Sequence, residues 1–145
     1  METGNSIGLD IGTKRTGVAV SHGLLNIASP HSVIEATQKD VWFKKVTEII
    51  EEEEVTRIVV GMPLNHHGEK GNDANRIMEF IAMMRKRISI PVIEWDERFT
   101  TVQAERVLLE ADMSRKKRKQ VVDKIAAAII LQSYLDSLEF ESLPI

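Results

Sequence analysis

Three acids stand where acids are costly. Asp10 lies within Gly8-Leu9-Asp10-Ile11-Gly12, inside an otherwise apolar run. The two-residue period of a strand puts Ile7, Leu9 and Ile11 on one face and Gly8, Asp10 and Gly12 on the other, with open space around the carboxylate. Taken alone, such an aspartate also serves a turn or a local hydrogen bond. Glu97 follows the apolar segment Ile90–Trp95, at the kind of strand end where ligands collect in parallel α/β sheets. Asp96 should project differently, Arg98 can pair locally or meet an anionic substrate, and Asp-Glu-Arg is also an ordinary exposed strand end. Asp123 is embedded in Val121-Val122-Asp123-Lys124-Ile125-Ala126-Ala127-Ala128-Ile129-Ile130. Helical spacing brings it near Ala126, Ala127 and Ile130, a small-residue face able to approach a sheet closely. A carboxylate there needs an ion pair, with Lys119 or Lys124 at hand, or a hydrogen bond, or a metal. If the three acids converge, they form an oxygen-rich site for Mg²⁺ or Mn²⁺. Two ions would serve phosphodiester cleavage, one helping to generate the attacking hydroxide and one stabilising the leaving oxygen.

Ser114-Arg115-Lys116-Lys117-Arg118-Lys119 puts five cations at the start of the final helix. The macrodipole favours acids there, and a capping box would place Glu where Lys117 stands. From Ser114 to Lys124 the net charge is +5 in a chain of −3, so the remainder carries −8. Solubility alone would account for such a run. Phosphate docking also accounts for its placement, since helix N–H groups and cations act together on a phosphate. Asp123 follows one to two turns downstream. Aromatic stacking is poorly signalled, because Trp42, Trp95 and Tyr134 suit a core or its boundary. His66-His67, in a Gly-bounded loop, suit solvent better than a metal. Glu51–Glu54 suit a solvated helix end.

The elements that must position these groups follow from periodicity. Asn5–Ile11 and Thr16–Ser21 are expected strands, joined by a hairpin turn in which Gly12 is available for positive φ. A third strand falls between Leu24 and Ile34, with Pro30 marking an edge or an interruption. Thr37 can cap a helix carrying Val41, Trp42, Val46, Ile49 and Ile50. A strand over Arg57–Met62, a helix with Ile77, Phe80, Ile81 and Met84, and a strand over Ile90–Trp95 come next. Thr100 and Gln103 form a capping box for a helix with Val102, Val107 and Leu108. The last helix runs from Ser114 or Arg115 to about Leu138. Tight turns allow the early strands to pair antiparallel, while the strand–helix–strand units demand parallel crossovers. The expected fold class is α/β, a mixed five-stranded sheet flanked by helices, as one domain over residues 1–145.

Composition narrows the functions. The chain has 145 residues and no cysteine, which excludes disulfides, thiolate metal sites and cysteine nucleophiles. Its longest apolar stretch, Ile125–Leu131, is far shorter than a membrane span, and no secretory signal is visible, so a cytoplasmic protein with no membrane partner is expected.

The segments Gly8–Ser21, Val60-Gly61-Met62-Pro63-Leu64-Asn65, Trp95–Thr101 and Ser114–Lys124 together resemble the YqgF/RuvX family of Holliday-junction resolvase-like proteins and pre-16S rRNA nucleases. The resemblance spans about Ile7 to Asp136. It implies a ribonuclease H-like fold, an acidic triad at Asp10, Glu97 and Asp123, and maturation of the 5′ end of 16S rRNA; cleavage of branched DNA is the older description. Asn65 and Gly68 match the family's loop and are expected to help position substrate. His22 departs from the family's frequent Asp and is expected to alter nearby metal electrostatics or pH response.

Metal-assisted hydrolysis of an RNA phosphodiester is the preferred reaction, with Lys14, Arg15, Arg98 and Arg115, Lys116, Lys117, Arg118 and Lys119 orienting phosphates. Structured RNA, in pre-16S rRNA or ribosomal particles, is the expected partner, branched DNA the alternative, and the protein a monomer or a homodimer. A non-catalytic, RNA-binding assembly factor is a third reading. Asp10-x-Gly12-Thr13 also resembles the first phosphate loop of actin-like kinases and ATPases. Those use two related domains, for which this chain lacks room, and no Gly-x-x-x-x-Gly-Lys-Ser/Thr loop is present.

Overall fold

The computed structural model describes residues 4–23, 26–35, 38–65, 67–100, 105–106, 108, 111 and 115–142; side chains are described for all of these but 99, 115–120 and 140–142. Strands β1 (Asn5–Ile11) and β2 (Thr16–Ser21) have the expected bounds, and β3 (Ala28–Ile34) completes an antiparallel meander. The β1–β2 turn closes through the Gly12 N–H donating to the Arg15 carbonyl at 2.9 Å. Gly12 does not take a positive φ, contrary to the sequence expectation. A side chain is excluded there because a Cβ would lie 2.7 Å from the Arg15 carbonyl oxygen. Pro30 marks both an edge and an interruption: β3 is an edge strand, and its register with β2 slips between Val18 and Ala19, opposite Ser32 and Pro30.

Helix α1 (Lys39–Glu52) starts after Gln38, whose side chain makes no cap; Thr37, the expected cap, lies outside the described residues. Strand β4 (Val55–Met62) then returns parallel to β1, and α2 (Asn72–Arg87) leads to β5 (Val92–Asp96), parallel to β4. The spatial order is β3-β2-β1-β4-β5. A 3-10 turn, Glu97–Phe99, follows β5. The helix expected to carry Val102, Val107 and Leu108 falls mostly outside the described residues, though Glu105, Arg106, Leu108 and Ala111 are helical. Helix α3 (Arg115–Ser142) closes the fold and, at 28 residues, is about 42 Å long. No helix among the described residues is long and apolar enough to cross a membrane.

Alternation along the strands divides the interior in two. Ile7, Leu9, Ile58 and Val60 meet α1 and α2 through Trp42, Val46, Ile77, Ile81 and Met84. On the opposite face Ala19 and Val59 meet α3 through Ala126, Ala127, Ile130 and Leu131. Trp42 is a core residue whose Nε1 donates to Thr16 Oγ1 at 2.8 Å, and Trp95 stacks edge-on against Tyr134 at the boundary.

Candidate active site

Asp10 sits near the C-terminal end of β1 on the α3 face, almost fully buried. Its antiparallel neighbour on β2 is Gly17. On the other side the parallel pair Leu9–Val60 places Gly61 of β4 next in register. Asp10 therefore has a glycine on each flanking strand, and each admits a second acid. A Cβ at Gly17 would collide with the carbonyl oxygen of Asp123, so α3 can settle on the sheet only over bare backbone. A Cβ at Gly61 would lie 2.7 Å from Glu97 Oε1 and 2.7 Å from Ile130 Cδ1, so the Glu97 carboxyl occupies the space that a side chain would take.

Glu97 reaches this position because the chain turns as it leaves β5. Asp96 caps the 3-10 turn, accepting the Arg98 N–H at 2.9 Å, and binds the Arg98 guanidinium at 2.6 Å. Adjacent acids thus do different work: Asp96 holds the turn, and Glu97 points inward. Burial raises the Glu97 carboxyl to about 7, helped by the negative charge of Asp10 and opposed by Arg106. Asp10 is likewise raised by burial, with Asp123 adding to the effect and Arg106 and Arg76 opposing it. The three acids therefore share one electrostatic neighbourhood.

Each aspartate faces a guanidinium. Arg15 Nε donates to Asp123 Oδ2 at 2.9 Å, and Arg106 Nη2 donates to Asp10 Oδ2. Asp123 pairs with an arginine on the β1–β2 turn and not with the expected Lys124, because α3 lies directly across that hairpin; the side chain of Lys119, the other expected partner, lies outside the described residues. Arg76, from the first turn of α2, donates to the Ile11 and Gly12 carbonyls at 3.1 Å each and fixes the end of β1. Sequence reasoning missed Arg76 and Arg106. Neither belongs to a basic run or matches an expected pairing, so only their position in space marks them.

Three carboxylates from separate elements are the hard oxygen donors that Mg²⁺ or Mn²⁺ prefers, and their mutual repulsion is what a cation would relieve. As the described side chains stand, no three acidic or imidazole groups are close enough to share one ion. Asp10 and Asp123 are instead neutralised by arginines of the chain.

The other expected site residues are dispersed. Lys14 is exposed at the hairpin turn. Asn65 Oδ1 accepts the His67 and Glu69 N–H groups, both at 2.9 Å, so this side chain folds its own loop. The Arg98 guanidinium packs over Gly68 of that loop. His67 is exposed and His66 lies outside the described residues. Arg115–Lys119 form the first turns of α3, on the path to Asp123; their side chains lie outside the described set.

His22 is not near the acids. It follows β2 at the end opposite Gly17, about 16 Å away at the rise of a strand. There His22 Nε2 and His31 Nε2 meet the two carboxylate oxygens of Glu53, at 3.1 and 3.3 Å. The expectation that His22 modifies the metal electrostatics is therefore corrected: antiparallel pairing sends it to the end of β2 remote from Asp10. Glu53, from the acidic run expected only to be solvated, binds both imidazoles.

The sequence and the fold have relatives among known proteins. The family model described as RuvX, Holliday junction resolvase, matches residues 4–137. A protein of Thermoanaerobacter pseudethanolicus named "Putative pre-16S rRNA nuclease" is 47% identical over 132 residues, covering 90% of this chain and 95% of that one. A protein of Geobacillus sp. strain WCH70 with the same name is 50% identical over 133 residues, covering 90% and 96%. Among solved structures, Thermus thermophilus RuvC in complex with a Holliday junction superposes with a TM-score of 0.61 at 12% identity, covering 97% of this chain and 99% of that one. The fowlpox virus resolvase with junction DNA gives 0.54 at 14% identity, covering 92% and 98%. These structural likenesses carry the ribonuclease H-like fold. With the family model matching residues 4–137 and relatives 47–50% identical over 90% of the chain, the chain belongs to the RuvX family of resolvase-like nucleases.

Proposed function

We propose that this protein is a divalent-metal-dependent nuclease of ribosome biogenesis, acting in the cytoplasm on the 5′ end of pre-16S rRNA. The observation that carries the proposal is the row Gly17–Asp10–Gly61, which gathers Asp123 and Glu97 about Asp10 from two other elements. The names of relatives matched over 90% of this chain favour pre-16S rRNA as substrate.

Asp10, held by the sheet, is the central ligand position, with Glu97 and Asp123 flanking it. Bound Mg²⁺ or Mn²⁺ supplies the positive charge that activates water and stabilises the leaving oxygen. Glu97, raised to about 7 by burial and by the charge of Asp10, is partly protonated near neutral pH and would be one of the residues that hold the cation. Lys14, Arg98 and the cations at the start of α3 draw in the phosphate backbone, and Arg15 on Asp123 keeps α3 seated against the hairpin.

The family description favours a second substrate, branched DNA. Pre-16S rRNA and four-way junction DNA should be assayed side by side with Mg²⁺ or Mn²⁺, comparing the native protein with Asp10→Ala. RNA scission that is lost in Asp10→Ala, with RNA binding largely kept, supports the proposal. Junction-selective cutting favours the resolvase reading, and RNA binding without scission by the native protein favours an assembly factor. Undiminished metal-dependent turnover by purified Asp10→Ala overturns the site.

A further inference from the structure

Two arginines approach the end of β1, and they are held differently. Arg76 spends its two terminal nitrogens on the backbone carbonyls of Ile11 and Gly12, a structural tie. Arg106 is tied to a carboxylate instead, donating from Nη2 to Asp10 Oδ2. Its Nε, like that of Arg76, is buried and has no hydrogen-bond partner among the described residues; the two arginines differ in what their terminal nitrogens hold, carbonyls for Arg76 and a carboxylate for Arg106. Nε and Nη2 share one edge of a guanidinium, the edge that grips two oxygens of a carboxylate or a phosphate at once. Asp10 uses half of it. The side chain is also 30% exposed, so it is anchored at its tip without being locked in the core. Its charge reaches Glu97 as well as Asp10.

We propose that Arg106 is the resident counter-ion of Asp10, which an incoming divalent cation must displace, and that its released Nε–Nη2 edge then positions a non-bridging oxygen of the phosphodiester. The proposal rests on the reading that Asp10 holds the cation. It gives the Arg106–Asp10 ion pair a function: a positive group of the chain already occupies the carboxylate that the cation would take. It also gives the orphaned Nε an acceptor, as buried donors ordinarily have. Arg106 is thus a positioning residue that couples ion loading to phosphate binding.

The test is Mn²⁺ binding to the full chain without nucleic acid, with free Mn²⁺ followed by electron paramagnetic resonance. The native protein is compared with Arg106→Gln, Arg106→Lys and Asp10→Asn. Arg106→Gln should bind Mn²⁺ roughly tenfold more tightly, the size of a lost charge-assisted hydrogen bond. Arg106→Lys, which keeps the competing charge, should stay near the native affinity. At saturating Mn²⁺, Arg106→Gln should turn over at least about tenfold more slowly, because the phosphate loses its clamp. A tighter ion together with slower turnover is a combination that a merely structural role would not produce. Native or weaker Mn²⁺ affinity in Arg106→Gln, with Asp10→Asn still losing the ion, overturns the proposal alone. Native turnover in Arg106→Gln overturns its phosphate half. Undiminished affinity in Asp10→Asn overturns the metal reading and the proposal with it.

Discussion

On the α1/α2 face of the sheet, Ile7, Leu9, Ile58, Trp42, Ile81 and Met84 fill the interior with large side chains. On the α3 face the sheet offers Gly8, Gly17 and Gly61, the helix offers Ala126, Ala127 and Ala128, and backbone meets backbone. The first face buries more apolar volume per residue, and it is where cohesion comes from. The second gives up that volume, and in exchange it brings carboxylates from α3 and from the turn after β5 to a carboxylate of β1. Stability and chemistry are thus carried by opposite sides of the same strands.

A pair of substitutions can break this comparison. Ile81→Ala and Gly17→Ala should each destabilise the fold by about 3 kcal/mol, the first by leaving a cavity and the second by forcing α3 off the hairpin. Their activities should separate widely. Ile81→Ala should retain native turnover per folded molecule, whereas Gly17→Ala should lose a hundredfold or more, because Asp123 moves with the helix. Urea titration together with turnover corrected for folded fraction measures both, and equal losses of activity would refute the division between faces.

Gly61→Ala sharpens the picture on the other side of Asp10. The new methyl meets the flexible end of Ile130 and the carboxyl of Glu97, each 2.7 Å away. Turnover should fall about tenfold, with a stability change near 1 kcal/mol or less, since both neighbours can rotate. A loss as large as that of Gly17→Ala would mean that α3 itself is displaced.

A further effect concerns pH. Glu97 titrates near 7 in the fold against an ordinary 4.5, so the folded protein binds the extra proton between these values. Stability contributed by this group is therefore present below about pH 4.5 and lost as pH rises through 7, amounting to about 1–3 kcal/mol. Without divalent ions, native protein should melt lower at pH 8 than at pH 5 by more than Glu97→Gln does. Mg²⁺ should narrow the gap at pH 8. Identical pH profiles for the native protein and Glu97→Gln would refute the carboxyl raised by burial and by the charge of Asp10.

Much of the fold was legible because it rests on short-range periodicity. The period of two in Asn5–Ile11 and Thr16–Ser21 located both strands and put Asp10 opposite Ile7, Leu9 and Ile11. The helical period around Asp123 selected Ala126, Ala127 and Ile130 as the face turned to the sheet. Gly12 was anticipated as a turn residue, but for the wrong cause, since a carbonyl close by rather than a positive φ requires it. The expectation for His22 rests on its departure from the family's frequent Asp, and the antiparallel hairpin carries that position to the end of β2 remote from Asp10.

The sequence by itself determined which residue types are out of place: an aspartate between glycines, an aspartate in an alanine-rich helix, and an acid just past a strand. Burial makes such groups expensive, and that expense can be read from their immediate neighbours. Only the tertiary structure decided their partners. Arg15 meets Asp123 across 108 positions and Arg106 meets Asp10 across 96, and neither pair leaves a local pattern. Pairing over such distances is set by how strands order themselves and how closely a helix can approach them, and here two glycines beside Asp10 fix that approach.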